Sequence, residues 1–341
     1  MIEIDGSYGE DGSQILKTIL ALSAITEKDC YIFNIRKERE SAGLTNQSLL
    51  EAQILSSLCQ GRMEGDFLGS EKLKFFPGKI KKTQSLNIKL SNTISSTLLL
   101  EALLPLCLLS DYPINLALEG GATDTFFSPT IDYFKYCFLK FIKKLGGKIE
   151  IEILKKGYYP EGDANLKIKI EPSELKNINL TERGEFKKII VFSGASSSLK
   201  PKNIAERQLS GAKEILGELK LPIEEKVEYC QTQCQGSQIC LIGEFENTII
   251  GADNLGGLGK RAEDIGKEAA INLLKEQKSN ACFDKKMADQ ILIYLALTKR
   301  KSSITVSEVT EHCKTNIWVI EKFLDGKFEI KNNLIKWSPS K

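Results

Sequence analysis

The order of predicted strands and helices is the feature that most limits what this chain can fold into. Apolar residues alternate with polar ones in segments that predict strands, and they recur every three or four residues in segments that predict helices. Residues 2–76 contain a strand, a helix, a strand, a helix and then a hairpin-like pair of strands over 68–76. Residues 86–170 repeat that order, with helices over 96–108 and 129–145. We therefore predict repeated β-α-β-α-β-β units, each with helices on one face of a sheet.

A different pattern interrupts the repetition in the second half of the chain. Residues 171–185 are polar and charged, and residues 188–276 give strands and helices in another order. After Asn280 the repeated pattern returns. We predict an α/β fold of the α+β type, in which a smaller α/β insert domain splits the third of three repeated units. The predicted large domain comprises 1–178 and 281–341, and the predicted insert comprises 179–280.

Composition excludes several classes of protein. The net charge of +2 over 341 residues gives no global basic field, so a polyanionic substrate would have to meet a local patch. Apolar runs are too short to span a membrane, and the first residues predict a strand instead of a signal peptide, so the expected compartment is cytoplasmic. The nine cysteines favour reduced thiols. Cys230, Cys234 and Cys240 form the one cluster, and its spacing does not match a structural zinc site.

His312 is the single histidine of the chain. It follows a β-like run at 303–306 and precedes an amphipathic helix whose predicted N-cap is Thr315 or Asn316. A side chain there lies near the positive end of a helix, where phosphate groups bind readily. Imidazole can act as a nucleophile that carries a covalent group, and it can equally pack or hydrogen-bond without a catalytic role. This stretch alone leaves both interpretations open.

Two segments near the N-terminus carry further candidate residues. Glycines in the loop 5–12 precede a helix and predict either a backbone cradle for phosphate or a tight strand-to-helix turn. Glu10 and Asp11 in that loop repel phosphate, so they suit a metal ion better. Arg36 and Arg39 follow the second strand, where guanidinium groups either bind phosphate or belong to a solvated turn.

Asp289 and Gln290 lie near the start of a helix predicted over 286–297. A carboxylate and an amide can hydrogen-bond a nucleotide, and they can also be the exposed polar face of a helix. The residues alone do not decide between these interpretations.

Taken together, five segments resemble those of the RNA 3′-terminal phosphate cyclase family, in that family's order. The opening DGSYGEDGSQILK matches its glycine-rich loop, and IRKERESAGL, followed by Gln47, matches its arginine pair. The other three segments are Gly120–Asp124, Met287–Gln290 and the stretch around His312.

The resemblance implies an ATP-dependent enzyme of the nucleotidyl-transfer ligase class. Such an enzyme converts the 3′-terminal phosphate of RNA to a 2′,3′-cyclic phosphodiester through a covalent histidine–AMP intermediate and an adenylated RNA end. It implies RNA with a 3′-terminal phosphate and ATP as substrates, together with a divalent metal ion, Mg²⁺ or Mn²⁺. The oligomeric state is left open, with a homodimer as one candidate.

The same resemblance assigns roles to individual residues. It implies that His312 is the nucleophile and that Glu10 is the metal ligand. Four residues would face substrate phosphates: Lys17, Arg36, Arg39 and Gln47. Seven would bind the nucleotide: Gln14, Glu101, Lys286, Met287, Ala288, Asp289 and Gln290.

The chain departs from the family pattern at several of these positions. Lys17 stands where the family has arginine, Glu101 where it has glutamine, and Lys286 where it has tyrosine. A lysine keeps the charge of arginine but loses its planar fork of donors. Two of the three glycines of another family motif are also lost within Gly157–Ala164. These changes bear on the rate and the choice of nucleotide more than on the class of reaction.

Two alternatives accompany this hypothesis. One is a catalytically weak or silent relative that acts as an RNA-binding or ribosome-assembly factor, although such relatives typically lack the histidine. The other follows from fold alone, because enolpyruvyl transferases contain related repeats, but fold does not determine function. A covalent adenylate distinguishes the enzyme from both.

Overall fold

A computed structural model describes residues 1–9, 14–80 and 82–340 of the protein. Within these residues the strands form four sheets of four strands, and three of the sheets share one strand order. In each of the three, the first two strands run parallel, and the fourth strand lies between the second and the third, antiparallel to both. The predicted fold class and its three repeated units are confirmed.

The first unit occupies the N-terminal part of the chain. Its elements are β1 (Ile2–Asp5), α1 (Gln14–Thr26), β2 (Cys30–Phe33), α2 (Asn46–Cys59), β3 (Arg62–Glu64) and β4 (Leu73–Phe76). The prediction of a hairpin over 68–76 was wrong for its first strand, which is β3. That strand has only three residues, with one apolar residue between two charged ones, so it shows no alternating pattern.

The second unit repeats the arrangement with longer strands. Its elements are β5 (Gln84–Ser95), α3 (Ser96–Leu108), β6 (Ile114–Ala122), α4 (Ile131–Tyr133), α5 (Leu139–Lys144), β7 (Lys148–Lys155) and β8 (Asn165–Glu171). A π-helical stretch, Phe134–Phe138, joins α4 to α5. The helix predicted from Pro129 begins two residues later, because the Thr130 side chain accepts a hydrogen bond from the Tyr133 backbone N–H and caps it.

The insert follows a two-residue strand of the third unit. That strand, β9 (Asn179–Leu180), lies in the range predicted for the insert, yet it pairs with a strand of the third sheet. The insert elements are β10 (Phe186–Ser196), α6 (Ile204–Leu216), β11 (Ile223–Cys230), β12 (Ser237–Phe245), β13 (Ile249–Leu255) and α7 (Ala262–Lys278). Short 3₁₀ turns flank α6 at Ser197–Lys202 and Gly217–Leu219. The predicted boundaries of the domains stay a prediction.

The chain then returns to the third unit. Its remaining elements are α8 (Lys285–Leu297), β14 (Ser302–Thr305), α9 (Glu311–Phe323), β15 (Gly326–Lys331) and β16 (Leu334–Pro339). β14 pairs with β9 in parallel, with Ser303 opposite Asn179, and so closes the third sheet on either side of the insert.

The helices of the three units pack together and place the candidate site. α1 contacts α3 and α9, and α8 contacts α3 and α9. α3 is apolar around most of its surface, as expected for a helix buried between layers. The three units share one hydrophobic core, whereas most of the insert packs around a second core that includes Val191, Leu241 and Leu273. Glu101 is therefore a charged side chain within an otherwise apolar helix, and it must find partners inside the protein.

None of the helices in the described residues combines the length and the apolar character that crossing a bilayer requires. The predicted cytoplasmic location stays a prediction.

Candidate active site

A cavity of about 520 Å³ lies where the three units and the insert meet. Gln14 on α1 and Glu101 on α3 line one side, and Asp289, Gln290 and His312 line the side formed by the third unit. The loop 125–130 and residues 253–260 of the insert complete the described wall. This volume falls within the range of small-molecule sites in proteins. Several residues that are far apart in sequence, and that were predicted to act together, thus share one cavity.

His312 lies in the first turn of α9 and is half-buried. The helix begins earlier than predicted, because its N-cap is Thr310, whose side chain accepts a 3.0 Å hydrogen bond from the Cys313 backbone N–H. The predicted cap at Thr315 or Asn316 was wrong, since both residues are buried inside the helix. His312 therefore sits within the first helical turn, where the helix dipole favours negative charge.

The loop after β1 packs against the same helix. The Tyr8 ring stacks on Trp318 with 4.0 Å between ring centroids. Gly9 adopts a φ of +80°, and a Cβ atom there would lie 2.0 Å from the Thr315 Oγ1 atom. Only glycine therefore fits this close approach. The contact holds the first loop one helical turn from His312.

Asp289 fixes the start of α9. Its carboxylate accepts hydrogen bonds from the Thr310 hydroxyl and, at 3.1 Å, from the Cys313 thiol, and its backbone carbonyl accepts one from the Asn316 amide at 3.0 Å. Burial raises the pKa of Asp289, while the hydrogen bonds from the Thr310 hydroxyl and the Cys313 thiol act in the opposite direction. The side chain predicted to bind a nucleotide thus already positions the helix that carries His312.

Glu101, Lys17 and Gln290 form a connected polar group beside the cavity. The Lys17 ammonium and the Gln290 amide each donate to the Glu101 carboxylate at 2.5 Å. The buried Glu101 charge on α3 thus has two partners from the other units, Lys17 on α1 and Gln290 on α8. Lys17 lies behind the wall, next to a smaller void of about 30 Å³ that Glu101 and Gln290 also line.

Gln47 does not belong to the described cavity wall. Its side-chain oxygen accepts a 2.8 Å hydrogen bond from the Ser95 backbone N–H, and its amide donates to the Glu51 carboxylate at 2.7 Å. Burial raises the pKa of Glu51 to about 7, against the lowering effects of Gln47 and of the Lys17 charge, and the Glu101 charge raises it further. Gln47 links α2 to the start of α3.

The other predicted phosphate contacts lie on the loop after β2. Arg36 is half-buried and adopts a φ of +51°, and Arg39 is exposed. Neither arginine belongs to the described wall of the cavity. The predicted contacts of these two arginines and of Gln47 with substrate phosphates stay a prediction.

Met287 and Ala288 are fully buried in the shared hydrophobic core. The Asp284 side chain caps α8 by accepting a 2.9 Å hydrogen bond from the Met287 backbone N–H. The structure therefore places these two predicted nucleotide-binding side chains in the core and not in the cavity.

Asp253 is a residue of the cavity wall that sequence reasoning missed. It lies on β13 of the insert, and its carboxylate accepts hydrogen bonds from the Thr130 backbone N–H at 2.8 Å and from the Thr130 hydroxyl at 2.9 Å. It also forms an ion pair with Lys286, whose ammonium lies 4.7 Å from the centroid of the Tyr133 ring. Burial lowers the pKa of Lys286, but the Asp253 carboxylate outweighs that effect and raises it. A strand prediction over 249–255 is the signal that could have found Asp253.

The described residues do not form a metal site by themselves. Among residues 1–9, 14–80 and 82–340, no group of three or more His, Cys, Asp or Glu side chains is arranged to hold a metal ion. Asp253, Asp289 and Glu101 already accept from protein donors. Glu10, the predicted metal ligand, lies outside the described residues. The metal ion stays a prediction.

Comparisons with known proteins agree with this architecture. The model of the family described as RNA 3′-terminal phosphate cyclase matches residues 8–330. A protein of that name from Sulfolobus acidocaldarius is 40% identical over 334 residues, which cover 98% of each chain. Its namesake from Pyrococcus furiosus is 39% identical over 335 residues, 98% of this chain and 96% of that one. A third, from Saccharolobus solfataricus, is 39% identical over 333 residues, 97% and 96% of the two chains.

These matches, together with the repeated fold, identify the chain as an enzyme. The chain belongs to the RNA 3′-terminal phosphate cyclase family. The resemblance stated from five short segments is thereby confirmed over nearly the whole chain.

Proposed function

We propose that the protein converts the 3′-terminal phosphate of RNA to a 2′,3′-cyclic phosphodiester at the expense of ATP, with His312 as the nucleophile. The observation that supports this most directly is the position of His312 in the first turn of α9, in the wall of a cavity that Gln14, Asp289 and Gln290 also line. The names of the relatives support the same overall reaction.

The first step is transfer of AMP to the protein. An imidazole nitrogen of His312 attacks the α-phosphorus of ATP, the bond to the β-phosphate oxygen breaks, and pyrophosphate leaves. The positive end of α9 and the lysines in the wall, Lys260 and Lys286, lie where they favour the phosphates electrostatically. Asp289 acts as a positioning residue, since it holds the first turn of α9 through Thr310 and Cys313.

The next two steps produce the cyclic end. An oxygen of the RNA 3′-phosphate attacks the α-phosphorus of the AMP group and releases the imidazole. The neighbouring 2′-hydroxyl then loses its proton and attacks the terminal phosphorus of the RNA, and AMP leaves. The hydroxyl is already held next to its target, so this closure is effectively intramolecular. Adenylation turns a poor leaving group into a good one, and the difficult reaction is divided into easier ones.

The direct test is labelling with ATP that carries its label at the α-phosphate, in the presence of Mg²⁺ or Mn²⁺. We expect an acid-labile AMP adduct on the wild-type protein and none on His312→Ala. Glu311→Ala is a matched control, because Glu311 is an exposed neighbour in the same helical turn, and it should keep the adduct. Circular dichroism should show folded protein in both variants.

Two results would count against the proposal. If His312→Ala carries as much label as the wild type, another residue is the nucleophile. If the wild type forms no adduct with either metal yet binds RNA, the protein is the silent RNA-binding relative.

A further inference from the structure

Two exposed phenylalanines of the cavity wall, Phe126 and Phe127, together with Tyr159 beside Phe126, form what we call the aromatic rim. Phe126 and Phe127 lie on the loop between β6 and α4 and line the cavity together with His312. Phe127 is fully exposed, Phe126 is 54% exposed and Tyr159 is 44% exposed. The Phe126 and Tyr159 rings meet edge to face with 6.1 Å between their centroids. The rim is therefore an apolar surface in water, next to the proposed nucleophile.

Phe127 is unusual in its backbone conformation as well as in its exposure. Phe127 has a φ of +61°, in the left-handed region that bulky residues seldom adopt. Among the exposed large apolar side chains in the described residues, Phe126 and Phe127 alone also line this cavity. Residues in sparsely populated backbone conformations cluster at active and binding sites. Phe127 has such a conformation, and its exposed ring lines the same cavity as His312, so it is a candidate contact for a ligand.

Two lysines line the cavity with the two phenylalanines, and each is paired with a carboxylate. Lys260 of the insert lies 3.3 Å from Glu268, and Lys286 of α8 pairs with Asp253. Aromatic faces next to cations are the combination with which proteins bind single-stranded nucleic acid, because bases stack on the rings and phosphates meet the positive charge. A mononucleotide such as ATP would bury most of its surface inside the cavity, whereas an RNA chain must extend out past the rim.

We propose that the aromatic rim stacks on the bases next to the 3′ end of the RNA while the terminal phosphate reaches toward His312. This proposal deepens the proposed function and rests on it. It predicts that the substrate has a single-stranded 3′ end of at least two nucleotides. The terminal nucleotide occupies the cavity, and a second nucleotide is needed to place a base on the exposed Phe127 ring.

The test combines one change in the protein with one change in the RNA. Equilibrium binding of a fluorescent single-stranded oligonucleotide with a 3′-phosphate is measured for the wild type, Phe127→Ala and Phe127→Trp. Each protein is also measured with an oligonucleotide that lacks the bases at the two positions before the terminal nucleotide. We expect Phe127→Ala to weaken binding of the intact RNA by about tenfold, and Phe127→Trp to restore it.

The abasic RNA provides the decisive comparison. The wild type should bind it about tenfold more weakly than the intact RNA, whereas Phe127→Ala should bind both RNAs alike, because the ring and the bases act as one pair. Phe67→Ala is the control, since Phe67 is another exposed phenylalanine, 63% exposed, between β3 and β4 and outside the described wall of the cavity, and it should behave as the wild type.

Three outcomes would overturn the proposal. If Phe127→Ala and the abasic RNA weaken binding independently, the ring does not touch those bases. If Phe127→Ala chiefly raises the ATP concentration needed for the AMP adduct, the ring contacts adenine. If it chiefly changes the oligomeric state in sedimentation, the rim is a contact between copies of the chain. Failure of the proposed function would give a different result. In that case no AMP adduct would form on the wild-type protein, whether or not the protein binds RNA.

Discussion

At the scale of single residues, the site depends on carboxyl groups that the fold removes from water. Glu51 is almost completely buried on α2, where its described contacts are the Gln47 amide and, through charge, Lys17 and Glu101. Its pKa of about 7 means that the folded protein holds a proton which the unfolded chain has already released. A buried acid of this kind makes stability depend on pH close to neutrality.

We expect Glu51→Gln to flatten that dependence. From about pH 4.5 to pH 7 the folded wild type binds more protons than the unfolded chain, so its stability falls as the pH rises, by about 3 kcal/mol in all. The variant keeps the oxygen that accepts from Gln47 and has no proton to lose. Urea unfolding should therefore give similar stabilities at pH 4.5, and a more stable variant at pH 8.

Glu150→Gln serves as the control, because Glu150 is exposed on β7 and should follow the wild type at both pH values. An identical pH dependence of the wild type and Glu51→Gln would show that the carboxyl group is not the source of the effect.

Part of the predicted site could be located from the sequence. His312 is the single histidine, and Gln14, Glu101, Asp289 and Gln290, identified by resemblance, line the cavity with it, while their roles stay a prediction. Asp253 could not be found in this way, since its partners Thr130 and Lys286 are distant in sequence and meet it only through the insert. An ion pair between separate units leaves no local pattern.

At the scale of secondary structure, the N-terminus of α9 is the element that matters most. The sequence predicts a cap at Thr315 or Asn316, whereas Thr310 caps the helix in the structure. The choice depends on tertiary contacts that a sequence does not display. Thr315 packs against Gly9, and Asn316 accepts a hydrogen bond from the Thr18 hydroxyl at 2.8 Å, so both are inside the protein.

β13 was missed for a related reason. Its sequence, IIGADNL, is apolar in the first half and polar in the second. The polar half pairs with β12 and ends at the cavity, where its side chains are required for contacts. Regular alternation was enough to predict most strands of the repeated units, but it fails where a strand carries part of a site.

Removing the cap of α9 should affect both stability and the reaction. Thr310→Ala deletes the oxygen that accepts from the Cys313 N–H and the hydroxyl that donates to Asp289. We expect a loss of roughly 1–2 kcal/mol in the free energy of unfolding, and slower formation of the AMP adduct because the turn that holds His312 loosens.

Thr45→Ala makes the same cap deletion on α2, where the Thr45 side chain accepts from the Ser48 N–H. We expect it to lose similar stability and to form the adduct at the wild-type rate, well below its melting temperature. Equal slowing in both variants would mean that lost stability, and not the position of His312, limits the reaction.

At the scale of the whole molecule, one carboxylate of the cavity wall connects the insert to two of the repeated units. Asp253 joins β13 of the insert to Thr130 of the second unit and to Lys286 of the third. Its side chain is buried, whereas Lys286 is about one-third exposed, so the pair is intermediate between a buried and a surface ion pair. The contact links three parts of the chain at one point.

We expect Asp253→Asn to loosen that junction. The change leaves the Lys286 ammonium without its carboxylate and should lower stability by about 1–3 kcal/mol. Hydrogen exchange should quicken around 128–130 and at the start of α8, and ATP should bind more weakly because two walls of the cavity lose their common anchor.

Glu263→Gln is the corresponding control within the insert, where Glu263 accepts from Arg207 at 2.8 and 2.9 Å. Neither residue of that pair belongs to the described cavity wall, and the pair is more exposed to solvent, so its loss should leave exchange at 128–130 unchanged. Equal effects of the two substitutions would show that the insert as a whole, and not Asp253, stabilises the cavity.

The pairing of β9 with β14 has a consequence for how the protein is made. The two strands lie 124 residues apart in the register of Asn179 and Ser303, with the whole insert between them. On the ribosome, the first two units and the insert emerge and can fold before β14 exists. His312 emerges later still. A growing chain therefore acquires much of the surroundings of His312 before His312 itself, so the proposed site of AMP attachment is assembled only after the insert has been made.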